Sequence, residues 1–219
     1  GGLGSVAWNI NRQNPDLKLY EFGYCYFHKK SDNPHPSVND YEEKKSLGIF
    51  ISGNRGSQRW NYITSPTDFY NIKSVVEAVF KRLDLKPDSM KSGESAKKYF
   101  SESITYLYDN RLVAEAGRIS KAYLDKFDIA QEVYYANIDW DLLLQLIKNH
   151  SISYTEISRY PWVRRDLALL LDKEVKFSRI REIAFKTEKQ ILRDVDLFDV
   201  YESETLGKNK KSYAVSFIL

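Results

Sequence analysis

Asp199 and Tyr201 stand two residues apart in the run VDLFDVYE at positions 195–202. In an extended strand successive side chains alternate between faces, so this spacing sets a carboxylate beside a phenol. On an accessible face the pair has a definite chemistry. The ring stacks on an unpaired base, worth about 1–3 kcal/mol, and the carboxylate accepts from a base amino group. A Tyr packed on a neighbouring strand beside a solvated Asp fits the same pattern. Alternation assigns Phe198 and Val200 to the core and Leu197 to the face of Asp199 and Tyr201. Arg159, Arg164, Arg165 and Lys211 are candidate phosphate contacts, which position a nucleic acid without reading it. Each also suits a plain surface charge or a partner for Asp166 or Glu202.

Other chemistry has little support. The chain has no GxxxxGK[ST] loop, no GxGxxG, no HExxH and no paired CxxC. His28, His35 and His150 with Cys25 have no common structural-zinc spacing. Ser, His and Asp are present without a nucleophile elbow to join them. The acidic pair Glu42 and Glu43 lies in a charge-mixed segment, where solvation explains it.

The 219 residues, 42% hydrophobic and 29% charged, suit one large or two modest globular domains and not a disordered or fibrous chain. The longest apolar block is the short Leu167 to Leu171 run, far below the roughly 18 residues of a membrane helix. Together with a single cysteine and no basic-apolar start, this points to a cytoplasmic protein with no membrane partner. The net charge of +3 sits in residues 158–219, which hold 13 Lys and Arg against 10 Asp and Glu. A positive bias in that part is compatible with nucleic acid and equally with a solvated surface.

These residues need elements to position them. GGLGSVAWNINR reads as a helix with Val6, Ile10 and Leu3 as its apolar spacing, continuing from an upstream part. LKLYEFGYCYF and KSLGIFIS read as strands joined by the polar loop KKSDNPHPSVNDYEEKK. SPTDFYNIKSVVEAVFKRLDL is the clearest helix, with Ser65 as N-cap, Pro66 at its first position and a stripe of Phe69, Ile72, Val76, Val79, Phe80 and Leu83. KPDSMKSGESAKK reads as a connection, SITYLYDNRLVAEAGRI as a hairpin turning at Asp109 and Asn110, and QEVYYANIDWDLLLQLIKN as a strand and then a helix over 140–149. Strands meeting by hairpins imply an α+β domain on an antiparallel sheet.

After His150 the pattern restarts. DLALLLD, apolar on both faces, reads as a central strand. FSRIREIAFKTEKQ reads as a helix capped by Ser178 that buries Ile180, Ile183 and Ala184. VDLFDVYE, a turn at 206–210 containing Gly207, and SYAVSFIL complete the order strand, helix, strand, strand. That order is the first part of a split βαβ, ferredoxin-like βαββαβ unit, ending before its second helix and fourth strand. If the usual strand order holds, the LALLL strand becomes an unpaired edge and this module the less stable of the two.

YPWVRRDLALLLD, followed by LFDVYE, Leu206-Gly207 and KKSYAVSF, resembles the ferredoxin-fold anticodon-binding domain of the phenylalanyl-tRNA synthetase β-subunit family. NINRQNPDLKLYEFG, DFYNIKSVVEAVF, AEAGRIS and FDIAQEVYYANIDWDLL resemble the catalytic-like core module of the same family. The resemblance implies an inactive class II synthetase-like antiparallel domain over 1–150, a linker over 151–157 and an incomplete anticodon-binding domain over 158–219. It further implies a subunit that scaffolds the catalytic α subunit in an α2β2 ligase and helps bind the anticodon of tRNA(Phe). ATP and Mg²⁺ then act at α, this chain holds no cofactor, and no editing falls to it. The family's FDxY segment, implicated in anticodon contact, maps onto Phe198, Asp199 and Tyr201. Class II catalysis needs an Arg in an FRxE-like segment and another after GxGxGxxR; Arg55, Arg59 and Arg118 lie in other contexts. The alternatives are a stand-alone α+β interaction domain without RNA binding and a self-sufficient enzyme, for which no phosphate or nucleophile site is visible.

Overall fold

The computed structural model describes residues 1–29, 37–56, 59–61, 63–87, 90–148, 154, 156, 161–203, 206, 207 and 209–219. The chain divides into two compact units, Gly1–Ile152 and Ser153–Leu219.

The first unit comprises helix α1 (Gly2–Ile10), strands β1 (Leu17–His28) and β2 (Tyr41–Ser52), helix α2 (Phe69–Arg82), strands β3 (Lys91–Gly93), β4 (Phe100–Tyr108) and β5 (Arg111–Ile119), the single turn α3 (Lys121–Leu124), strand β6 (Val133–Asp139) and helix α4 (Trp140–Ile147). Its strands form one antiparallel sheet in the order β1-β2-β6-β5-β4-β3. The period-two apolar spacing gives that sheet two packed faces. On one, Leu47, Ile49, Ile51, Ala116, Ala136 and Ile138 meet Ile72, Val76 and Phe80 of α2 and Leu143 of α4. On the other, Val6 of α1 joins Leu17, Ile119, Leu124, Ile129 and Val133.

Local chemistry accounts for the places where the elements differ from the sequence reading. Helix α2 starts at Phe69, because Asp68 and Asn71 form a reciprocal capping box: the Asn71 N–H donates to Asp68 Oδ1 at 3.0 Å and the Asp68 N–H to Asn71 Oδ1 at 2.8 Å. Ser65 is therefore not the cap, and Pro66 sits in an isolated bridge with Asn54. Strand β2 begins at Tyr41, since the segment assigned to a loop continues the ladder to the His28–Tyr41 pair. β3 lies within the segment read as a connection. The β4–β5 hairpin turns at Asp109 and Asn110 as expected, both left-handed with φ of 47° and 61°. Two adjacent left-handed residues match the twist of the strands, and Asp and Asn tolerate that region.

The second face of the first unit is lined with rings. Phe50 stacks on Tyr135 at 4.6 Å between centroids, and Tyr99 and Phe100 lie 4.6 Å apart beside them. Glu115, 4% exposed, accepts from Tyr99 Oη at 2.6 Å and from Ser95 Oγ at 2.8 Å, which satisfies both carboxylate oxygens. Gly117 is pressed against this layer. A Cβ there would lie 2.2 Å from the Glu102 carbonyl oxygen and 2.7 Å from the Phe100 ring.

The second unit comprises β7 (Arg164–Asp172), helix α5 (Phe177–Thr187), β8 (Asp194–Tyr201) and β9 (Lys210–Ile218). Its sheet runs β7-β9-β8, antiparallel throughout. Helix α5 packs Phe177, Ile180, Ala184 and Phe185 onto Val195, Tyr213 and Val215. Its N-cap is Lys176 without a side-chain cap bond, so Ser178 is already inside the helix. Ile183, read as buried, is exposed on the flank of the stripe that Phe177 and Ala184 define. Strand β7, apolar enough to read as central, pairs only with β9 among the described residues and stands at an edge. Gly207 in the β8–β9 connection has φ of 105°, which favours glycine.

Two outcomes are expected for the first unit. Gly117→Ala lowers its unfolding free energy by about 1–3 kcal/mol, because backbone and an aromatic ring cannot both yield to the methyl group; urea melts followed by circular dichroism measure it. Burial, with help from Glu115, Glu77 and Glu132, raises the phenols of Tyr99, Tyr106 and Tyr134, and burial pushes Tyr135 up to about 12. A raised folded-state value means that this contribution to stability is complete below pH 10 and is lost as pH climbs through the folded-state values. Thermal melts between pH 9 and pH 12 should therefore fall in midpoint, with tyrosinate absorbance appearing together with unfolding.

Candidate nucleic-acid interface

The two faces of the second sheet differ. Cross-strand partners share a face, so the pairs Val195–Phe217 and Leu197–Val215 look toward α5, while Asp194–Ile218 and Asp196–Ser216 look away. At Phe198 the ladder slips: Leu197 opposes Val215, and Asp199 opposes Ala214, the very next residue of β9. One extra residue on β8 makes a β-bulge. Beyond it Asp199 and Tyr201 pair with Ala214 and Ser212 on the face away from α5.

The bulge settles side-chain placement in a way simple alternation could not. Phe198, read as core, is 48% exposed and lies against Arg164 of the open face; Val200, opposite the buried Tyr213, keeps to the α5 side as expected but is 48% exposed; and Leu197, read as facing outward, packs in the α5 core. Asp199 and Tyr201 do lie together on the open face, with Tyr201 54% exposed. The adjacent pair Leu197-Phe198 inside an otherwise alternating run was the available sign of a bulge. For want of it Asp196 was passed over and Phe198 was assigned to the core.

The cations divide between faces. Arg164 pairs with Ile218 and so belongs to the open face. Its Nε donates to Asp166 Oδ1 at 2.7 Å, and its guanidinium lies 4.9 Å from the Phe198 ring centroid. To do so it crosses β9, where Ser216 is only 3% exposed. Arg165 pairs with Phe217 and belongs to the α5 side, where its side chain is exposed. Lys211 is 8% exposed on that same side; its ammonium donates to the Lys173 carbonyl at 2.7 Å and lies 4.5 Å from the Tyr213 ring centroid. Arg159 lies outside the described residues.

Charge on the open face runs against the overall balance. Its paired positions carry Asp166, Asp172, Asp194, Asp196 and Asp199 against Arg164 and Lys210. Lys210 is bound to Asp172 at 2.7 Å, and Arg181 to Asp194 at 3.1 Å. Asp196 and Asp199 have neither ion pair nor donor among the described residues. Such a face suits base amino groups and rings better than phosphates.

Two arginines of the first unit that were weighed above have partners of their own. Arg55 is bound to Asp68, and Arg118 to Glu132 at 2.9 Å and Ser101 Oγ at 3.1 Å. The Glu132 carboxyl is held below the usual range first by the Tyr134 hydroxyl and then by Arg118. No group of three or more His, Cys, Asp or Glu stands together among the described residues, and no helix there is long and apolar enough to cross a membrane.

Comparison with known proteins matches each unit. Residues 1–140 match the phenylalanyl tRNA synthetase beta chain CLM domain, and residues 158–219 match the ferredoxin-fold anticodon binding domain. The phenylalanine–tRNA ligase beta subunit of Bacteroides fragilis is 44% identical over the whole chain, which covers 27% of that protein. The Listeria monocytogenes beta subunit is 31% identical over 98% of the chain, covering 26% of its own length. The chain thus spans about a quarter of the relatives it matches. An α+β chain that ends in an anticodon-binding fold, with synthetase subunits as its relatives, is of the aminoacyl-tRNA synthetase class. Within that class it belongs to the phenylalanyl-tRNA synthetase β-chain family.

Burial assigns Lys211 to the fold, with a measurable consequence. Lys211→Met strands the Lys173 carbonyl and should destabilise the second unit by about 1–3 kcal/mol, whereas Arg165→Gln should change it by less than about 0.5 kcal/mol. Hydrogen exchange of the β7 and β9 amides distinguishes the two.

Proposed function

We propose that the chain serves as the anticodon-reading and scaffolding part of a phenylalanine–tRNA ligase β subunit, working with a catalytic α subunit in an α2β2 assembly in the cytoplasm. In this reading ATP and Mg²⁺ are used at the α subunit, and no step runs through a cofactor held by this chain. The six-stranded unit, packed on both faces, offers surface to the α subunit. The three-stranded unit presents Asp199 and Tyr201 to the anticodon loop of tRNA(Phe).

The observation that carries the reading is the pairing of Asp199 and Tyr201 on the open face of β8, within the region that matches an anticodon-binding domain. The Tyr201 ring is exposed enough to stack, and the Asp199 carboxylate, without an ion pair or donor among the described residues, can accept from a base edge. Arg164 already holds Asp166 and faces Phe198. Its role here is to shape the face. Arg165 is left as a peripheral phosphate contact on the other side of the sheet, Arg159 as a further one beside it in sequence, and Lys211 as a packing residue.

Tyr201→Ala in the full α2β2 enzyme should raise KM for tRNA(Phe) roughly 5- to 150-fold, the equivalent of one lost base stack. Tyr201 touches neither ATP nor phenylalanine in this reading, so ATP–pyrophosphate exchange without tRNA should stay near wild type. Unchanged aminoacylation kinetics in the variant exclude the assignment.

A further inference from the structure

A large RNA is held first through its phosphates, and each phosphate neutralised by Lys or Arg adds both affinity and salt dependence. The open face of the second sheet supplies no cation for this. Its two paired cations are both taken, Arg164 by Asp166 at 2.7 Å and Lys210 by Asp172 at 2.7 Å, and its remaining charges, Asp194, Asp196 and Asp199, are carboxylates. Cations for the RNA backbone have to come from another surface.

One corner of the first unit has the required form. Lys97 and Lys98 lead into β4, and Lys121 opens α3 just after β5. The β4–β5 ladder ends at the Phe100–Ile119 pair, so the two segments leave the sheet side by side. The Ser120 N–H donates to the Tyr99 carbonyl at 2.8 Å and Ser120 Oγ to the Lys98 carbonyl at 3.5 Å, while the Phe100 N–H donates to the Lys97 carbonyl at 3.2 Å. Lys126 joins the group through rings: its ammonium lies 4.6 Å from the Tyr123 centroid, and Tyr123 stands edge-on to Tyr99 at 6.2 Å. The backbone of this corner is fixed over the buried Leu124 and Ile129. All four lysines are exposed, and none has an ion pair among the described residues. Asp125 and Asp128 share the α3 turn, and Glu94 and Glu102 flank the first segment, yet none of them binds a lysine of the group. Compact charges on flexible stems suit a run of phosphates better than a single carboxylate, whose planar geometry favours arginine.

We infer that Lys97, Lys98, Lys121 and Lys126 form a contact for the sugar-phosphate backbone of tRNA, on a different unit from the base-reading strand β8. The contact supplies affinity without reading sequence, and β8 supplies discrimination without needing cations of its own. The inference rests on the tRNA role proposed above and adds to it a second surface with its own residues.

The test uses the β subunit in its intact ligase complex, with tRNA(Phe) binding followed from about 50 to about 300 mM KCl. Each of Lys97→Gln, Lys98→Gln, Lys121→Gln and Lys126→Gln should lower the slope of log K against log [KCl] by about 1, and the four together by about 3–4. The loss should be the same for a tRNA with another anticodon, because the phosphates are common to both. Neutralising Lys81, Arg82, Lys91 and Arg111, exposed cations of the same unit, should leave the slope as in the wild type. If both sets lower it equally, the effect is one of net charge and the inference is wrong. If the four-lysine variant keeps the wild-type slope while Tyr201→Ala still weakens binding, the backbone contact is overturned and the anticodon reading stands. If that variant keeps the slope but no longer co-purifies with the α subunit, the lysines meet an acidic protein surface, which also overturns the contact. If neither the four-lysine variant nor Tyr201→Ala changes tRNA binding, the tRNA role falls and the inference with it. Thermal melts of each variant separate loss of binding from loss of fold, and exposed positions of this kind tolerate substitution.

Discussion

One extra residue in β8 is the constraint on which the second unit depends. Val195 and Leu197 must face α5, because a three-stranded sheet with one helix has few other apolar groups to fill its core. Asp199 must face away, because a carboxylate buried without a partner is costly. The two demands conflict under strict alternation. The bulge at Phe198 resolves them within one strand by leaving a single residue out of the ladder.

In the first unit the corresponding constraint is a crowded layer of rings. Phe50, Tyr99, Phe100 and Tyr135 occupy one face of the sheet, and Gly117 has no room for a side chain. The one carboxylate buried there, Glu115, is saturated by Tyr99 and Ser95. Filled and satisfied, this face serves as packing. The same burial that excludes water raises the tyrosine hydroxyls.

Much of this was legible from the residues alone. The apolar stripe of α2, the hairpin at Asp109-Asn110, the helix at α1 with Val6 inward and the strand, helix, strand, strand order of the second unit follow from periodicity and turn chemistry. So did the outward placement of Asp199 and Tyr201, although for an incomplete reason: alternation was applied through Phe198 as though the ladder were regular. Boundaries set by a choice between competing caps were harder. Ser65 with Pro66 is a sound N-terminal signal, and only the reciprocal Asp68–Asn71 bonds decide against it. Lys211 was invisible as a packing residue, because its role depends on the Lys173 carbonyl, brought close by the β7–β9 pairing. Charge counting likewise misled: the positive bias of residues 158–219 does not lie on the face that carries Asp199 and Tyr201.

The bulge also has an evolutionary reading. Before the bulge, Val195 and Leu197 answer to core volume; after it, Asp199 and Tyr201 answer to what the open face meets. The unpaired residue lets the two halves drift independently, since a change in one need not be transmitted through the ladder to the other. Length should therefore be more forgiving at the bulge than elsewhere in the strand. Removing Phe198 would restore a regular ladder with Leu197 still inward and Asp199 and Tyr201 still outward.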